Sequence, residues 1–141
     1  AYDILEWDFI IKVMRKFGFH DWFCGLCFRC YVAPWLSISF MGKGFGFFKT
    51  ARGVRQGDPL SPYLFIMAQE ALSRNIVRGL ENGSLTAYKN MFGSEMISHL
   101  MFVDDILIFI NGRRRSVIGL MNITSVYGKL SGQCINQGKS N

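Results

Sequence analysis

The sequence has no long apolar run. Nothing in it reaches the roughly 18–20 residues that a membrane-spanning helix requires, and the richest stretch, Tyr63 to Leu72, is interrupted by Gln69 and Glu70. The opening residues carry no secretory pattern either: Ala1-Tyr2-Asp3 stands where a basic region followed by an apolar one would be needed. The expectation is an intracellular protein, not a secreted one, and no extracellular disulfide framework. Acidic residues are scarce, 10 Asp+Glu against 16 Lys+Arg, which leaves a formal charge of +6. Such a balance suits a surface that meets phosphate. Internal repeats, low-complexity tracts and any composition shift that would mark a domain boundary are lacking. The chain opens without Met and enters an amphipathic segment at once, which reads as an excerpt from a longer protein.

Core material, by contrast, is plentiful. Half of the 141 residues are apolar and 13 are Phe, so disorder is excluded for most of the chain, and residues 1–141 read as one domain or a piece of one. Cys24, Cys27 and Cys30 are spaced three apart, with Cys134 far downstream. That spacing could begin a zinc or iron–sulfur site, but neither His20 nor His99 stands at a matching interval. The three thiols fall in an apolar stretch with helical spacing, where free cysteine packs as a small hydrophobe.

Periodicity gives the elements. Trp7, Ile10, Ile11, Met14 and Phe17 share one helical face between Ile4 and Phe17, and Gly18 ends it. A second helix starts at Asp21 as N-cap and reaches about Cys30. After Pro34 the period becomes two: Leu36, Ile38 and Phe40 form one side of a half-buried strand. Gly42-Lys43-Gly44 turns it into a second strand, Phe45 to Thr50. Ser61-Pro62 is a strong helix start, and that helix runs to about Arg78, ending near Gly79, with a turn at Asn82-Gly83. Apolar strands then flank Asp104-Asp105 as a hairpin. A last helix, Arg115 to Leu130, turns Ile118, Met121, Ile123, Val126 and Leu130 inward. Helices alternating with hairpins give an α+β fold, helices packed on antiparallel sheet.

Two places carry chemistry. Adjacent carboxylates at Asp104 and Asp105, between apolar strands, are either a polar hairpin tip or a holder for Mg²⁺, which takes oxygen ligands and leaves positions open for phosphates. Strand alternation lets one of the two face such a site directly, so a two-metal centre needs a further carboxylate from elsewhere. The loop Arg52 to Pro62 combines glycines that permit close backbone approach, Gly53 and Gly57, with Gln56 for a base or sugar and Arg52 and Arg55 for phosphate. Taken alone it is a basic surface connection; taken with the paired acids it implies a phosphate-handling site. Lys43, Lys49 and the run Arg113-Arg114-Arg115 add positive charge elsewhere.

The string Arg52-Gly53-Val54-Arg55-Gln56-Gly57-Asp58-Pro59-Leu60-Ser61-Pro62 resembles the B motif of reverse transcriptases, in particular those of LINE-type, non-LTR retrotransposons. Ser98-His99-Leu100-Met101-Phe102-Val103-Asp104-Asp105 resembles their C motif, where Val103 replaces a usual alanine. Ala1-Tyr2-Asp3 with Glu6-Trp7 is similar to the tail of the A motif, and Ser131 to Ser140 to the D-motif region. The likeness covers essentially the whole chain in the family's motif order.

That resemblance implies part of a polymerase palm, an antiparallel sheet against helices, without the fingers and thumb. It implies an RNA-directed DNA polymerase that adds dNTPs to a primer 3′-hydroxyl by two-metal phosphoryl transfer with Mg²⁺. Asp104 and Asp105 would be the metal-binding acids and Tyr2 the gate against a ribose 2′-hydroxyl. Gln56 and Gly57 would sit by the incoming nucleotide and template, Arg52 and Arg55 on phosphate, and Lys139 would be a proton donor to pyrophosphate. The partners implied are an RNA template, a DNA primer, dNTPs and the remainder of a polyprotein, in the nucleus for the parent element. The family's first catalytic aspartate lies four residues before the position that Ala1 matches, so the chain by itself is expected to polymerise nothing. A non-catalytic nucleic-acid-binding module built on the same fold is the alternative from another class.

Overall fold

A computed structural model of the chain describes residues 2–88, 97–136 and 138. After a short 3₁₀ turn, Tyr2–Ile4, come helices α1 (Trp7–Lys16) and α2 (Asp21–Val32) and strands β1 (Leu36–Phe40) and β2 (Lys43–Phe48). Then follow α3 (Ser61–Glu81), β3 (His99–Phe102), β4 (Asp105–Ile108) and α4 (Arg114–Ser131). The class is α+β, and the described strands make two antiparallel two-stranded sheets, β1-β2 and β3-β4. The chain divides into two compact units, Tyr2–Met67 and Ala68–Asn141. The division falls inside α3, a continuous helix, where composition and punctuation give no signal of it. No helix among the described residues is long and apolar enough to cross a membrane.

In the Tyr2–Met67 unit the core is Leu5, Phe9, Ile10, Val13, Met14, Cys24, Cys27, Tyr31, Val54, Leu64 and Phe65. The α1 face is the expected one, shifted so that Phe9 and Val13 are buried while Phe17 lies at the edge, 38% exposed. Gly18, at φ +90°, and the Phe19 N–H bond to the Met14 carbonyl close the helix. The cap of α2 is His20 rather than Asp21: its Nδ1 accepts from the Trp22 N–H at 3.1 Å, and Asp21, one residue inside, pairs with Arg15 at 2.6 Å. The α3 start also differs, because the Ser61 hydroxyl is buried against Tyr31 Oη at 3.3 Å.

The β1-β2 hairpin turns at Met41-Gly42, both at positive φ (+48° and +74°), instead of at Gly42-Lys43-Gly44. Two successive positive φ values are what a two-residue connection between right-twisted strands demands. An irregularity between Leu36 and Ile38 coincides with Gly46 at φ +63°, which takes up the extra residue of a bulge. The strand is not half-buried as its alternation suggests. Ile38 and Phe40 are 65% and 62% exposed, and every β2 residue is open to solvent.

In the Ala68–Asn141 unit α3 continues through Gly79 to Glu81, and the turn residue is Gly83 at φ +72°. Gly79 is there for space: a Cβ on it would stand 2.8 Å from Ile123 Cδ1 and 2.9 Å from Leu85 Cδ1. Gly119 of α4 makes the matching approach, a Cβ there lying 2.6 Å from the Ser84 carbonyl oxygen. The inward face of α4 is rotated from the expected one. Ser116, Tyr127 and Ser131 are buried, Ile123 is half-buried, and Ile118, Met121, Val126 and Leu130 are about half exposed or more, at 48%, 62%, 56% and 57%. Polar anchors decide the phase. Ser116 Oγ accepts from the Thr86 N–H at 3.1 Å and donates to Asn111 Oδ1 at 2.7 Å. Tyr127 Oη donates to the Ala68 carbonyl at 3.3 Å.

Candidate functional site

The loop after β2 is fastened to the start of the chain by its main chain. The Gly53 N–H donates to the Leu5 carbonyl at 2.9 Å and the Val54 N–H to the Tyr2 carbonyl at 2.8 Å. Trp7 Nε1 donates to the Gly53 carbonyl at 2.7 Å. Gly53 sits at φ +89°, and a Cβ on it would lie 2.5 Å from the Asp3 carbonyl oxygen. Glycine is therefore required twice over, for its conformation and for the space. Val54 is buried, so the loop is pinned at its base while Gln56 and Gly57, the latter at φ +86°, stand exposed at its tip.

The flanking residues are spoken for in different degrees. Arg52 pairs with Glu6 at 3.7 Å, both half in solvent, a contact weak enough to exchange for another anion. Arg55 is held harder: Nη2 donates to the Cys30 carbonyl at 2.6 Å and the guanidinium lies over the Tyr31 ring, 5.8 Å from its centroid. Asp58 Oδ1 accepts from the Leu60 N–H at 2.9 Å, shaping the approach to α3. Tyr2 stacks on Phe65 of α3, centroids 4.6 Å apart and planes 20° from parallel. Tyr2, Arg52, Arg55, Gln56 and Gly57 thus share one unit, and Tyr2 is bonded directly into the base of the loop. Burial pushes the Tyr31 hydroxyl and the Cys27 thiol above their ordinary values.

In the other unit β3 and β4 pair as His99↔Ile108, Leu100↔Leu107, Met101↔Ile106 and Phe102↔Asp105. The connection is Val103-Asp104, one residue earlier than the expected Asp104-Asp105, and Asp105 is the first residue of β4. Val103 takes φ +52°, a conformation that costs a β-branched residue about 1–3 kcal/mol. Both acids are exposed, and their side chains make no ion pair or hydrogen bond among the described residues. Their carbonyl neighbour is held: Gln69 Nε2 of α3 donates to the Val103 oxygen at 3.0 Å. One helical turn on, Ser73 Oγ meets His99 Nε2 at 2.8 Å, and His99 Nδ1 meets Ser98 Oγ at 2.8 Å. Sequence reasoning missed Gln69, Ser73 and His99; Gln69 registered only as a polar break in an apolar stretch.

Two exposed, unpaired carboxylates suit Mg²⁺, which is commonly held by one or two acids and completes its shell with water and phosphate oxygens. No group of three His, Cys, Asp or Glu positioned to hold a metal occurs among the described residues. Of the three spaced thiols, Cys24 and Cys27 are core residues as expected, whereas Cys30 is exposed. Lys139 and Ala1 lie outside the described residues.

The family model for reverse transcriptase (RNA-dependent DNA polymerase) matches residues 1–141. The chain is 27% identical over 139 residues to a retrovirus-related Pol polyprotein from a type-1 retrotransposable element R2 of Popillia japonica, covering 99% of this chain and 22% of that one. It is 30% identical over 113 residues to the corresponding polyprotein of the R2DM element of Drosophila melanogaster, covering 80% of this chain and 10% of that one. An uncharacterised mitochondrial protein of Arabidopsis thaliana is 48% identical over 60 residues, 43% of this chain and 49% of that protein. The chain therefore spans half or less of these relatives. With a match from end to end and both motif regions folded as a loop before a helix and an acid-bearing hairpin, the chain belongs to the reverse transcriptase family.

Proposed function

We propose that this chain carries the nucleotide-handling and metal-holding parts of an RNA-directed DNA polymerase of the non-LTR retrotransposon kind. The observation that supports this most is the pair Asp104 and Asp105, both exposed and unpartnered at a strained turn inside the full-length family match. Two adjacent exposed carboxylates at one turn repel each other, and a divalent cation held between them relieves that repulsion. Mg²⁺ bound there would stabilise the charge that develops on the phosphates during in-line attack.

The chain's own residues then divide the work. Asp104 and Asp105 hold the cations. Gln56, at the tip of a loop pinned at its base, offers its amide to base or sugar, and Gly57 lets the backbone approach the nucleotide and template. Tyr2, fixed by stacking on Phe65, excludes a 2′-hydroxyl. Arg52 releases Glu6 to take a phosphate, while Arg55 acts through the loop's shape, being committed to Cys30 and Tyr31. Lys139 is the proton donor to pyrophosphate. The partners are RNA template, DNA primer and dNTPs within a polyprotein, in the nucleus for the parent element, and the 141-residue chain alone does not polymerise.

Mn²⁺ titration followed by electron paramagnetic resonance tests the metal assignment. The chain should bind Mn²⁺, and Asp104→Asn should weaken binding by about tenfold or more. Primer extension with Mg²⁺ should give no product from the chain alone. Mn²⁺ binding unaffected by Asp104→Asn would overturn the metal assignment. Salt-sensitive binding of primer–template without any metal binding would favour the non-catalytic module instead.

A further inference from the structure

We infer that Gln69 is a positioning residue for the Asp104–Asp105 turn: its amide clamps the Val103 carbonyl and so sets the direction in which the two carboxylates leave the hairpin. The inference rests on the metal-holding role proposed for those acids.

Asp104 and Asp105 have no side-chain partner of their own among the described residues, so the backbone of the turn sets the directions from which their carboxylates can reach. That backbone is unfavourable by itself, because Val103 is β-branched and sits at φ +52°. Such a conformation persists only where surrounding contacts over-determine it. The contact present is Gln69 Nε2 to the Val103 oxygen at 3.0 Å, made by a side chain only 8% exposed.

The rest of the Gln69 amide shows what it is there for. Its Oε1 is buried with no hydrogen-bond partner, an arrangement that costs stability and that an apolar side chain of the same size would avoid. A residue retained only for packing would be Leu or Met. A glutamine is needed to offer a neutral donor to a carbonyl without burying a charge next to two acids. Ser73, four residues on and so on the same face of α3, meets His99 at 2.8 Å. The helix thus grips β3 at its first residue and again just past its last, leaving the turn as the part that Gln69 governs.

Gln69→Met removes the donor and keeps the bulk. In the full 141-residue chain, hydrogen exchange of peptides covering residues 99–108 should rise about tenfold, as for the loss of one hydrogen bond. Mn²⁺ affinity should fall about tenfold, as for loss of a group that orients metal ligands. The thermal midpoint should stay level or rise, because the orphan oxygen is gone. Unchanged exchange in a folded Gln69→Met would overturn the inference and leave the metal assignment standing. So would a lowered midpoint, or failure of both Gln69→Met and Gln69→Leu to fold, since either marks a merely structural residue. A wild-type chain that binds no Mn²⁺ would remove the metal assignment instead, while the exchange measurement still decides whether Gln69 holds the turn.

Discussion

In the Tyr2–Met67 unit the loop from Arg52 to Pro62 is held by its main chain, through paired bonds from Gly53 and Val54 to Leu5 and Tyr2, with a glycine that leaves no room for a methyl. In the Ala68–Asn141 unit the acid-bearing turn is held by a side chain, one amide bond from Gln69 to Val103. Main-chain fastening is insensitive to most substitutions and intolerant of a few. Side-chain fastening can be retuned by changing one residue. On the roles proposed above, a loop that keeps one shape around any nucleotide suits the first plan, and a turn aimed by a single side chain suits the second.

The sharpest way to break this contrast is at Gly53. Gly53→Ala forces a Cβ to within 2.5 Å of a backbone oxygen and penalises φ +89°. The loss should be about 3 kcal/mol or more by urea denaturation; a change under about 1 kcal/mol would show that the loop base is softer than its bonds suggest.

The second unit should answer to alkali. Burial pushes the Tyr127 hydroxyl up to about 12 from its ordinary 10. The folded form therefore keeps a proton that the unfolded chain gives up, and this contribution is whole below pH 10 and lost as pH rises towards 12. The loss should amount to about 2–3 kcal/mol. Thermal midpoints measured from pH 9 to 12 should fall less steeply in Tyr127→Phe than in the wild type. Cys27 and Tyr31, also raised by burial, give the first unit a residual slope of the same sign.

The smallest effect is expected at the α4 N-terminus, where Arg113, Arg114 and Arg115 crowd the positive end of the helix dipole and no side chain caps it. Arg114→Gln should stabilise by about 0.3–1 kcal/mol at low ionic strength and by nothing measurable in high salt. A stabilisation that persists in high salt would mean the arginines disturb packing rather than the field.

Much of this could be read from residue order, and the exceptions have physical causes. Elements with strong punctuation were legible: Gly18, Ser61-Pro62 and Asn82-Gly83 stand at or beside real boundaries. The hairpin that bears the acid pair was legible because a short polar break between apolar strands is a turn signal, although the turn falls one residue early, at Val103-Asp104. The inward face of α4 was not, since both of its faces are apolar and hydroxyls of Ser116 and Tyr127 break the tie through bonds to distant residues. The solvent exposure of β1-β2 was not, because alternation reports two sides of a strand without saying whether either is covered. Gly79 looked like a stop and is a packing site, the same residue serving conformation in one setting and clearance in another.

That clearance has a consequence for genetics. The methyl added by Gly119→Ala would meet a backbone carbonyl that cannot swing aside, whereas Gly79→Ala would meet only the tips of Ile123 and Leu85, which can. The pair amounts to a coarse and a fine adjustment of heat tolerance, both remote in sequence from every residue assigned to chemistry. Variants built there would be conditional, folded in the cold and lost on warming.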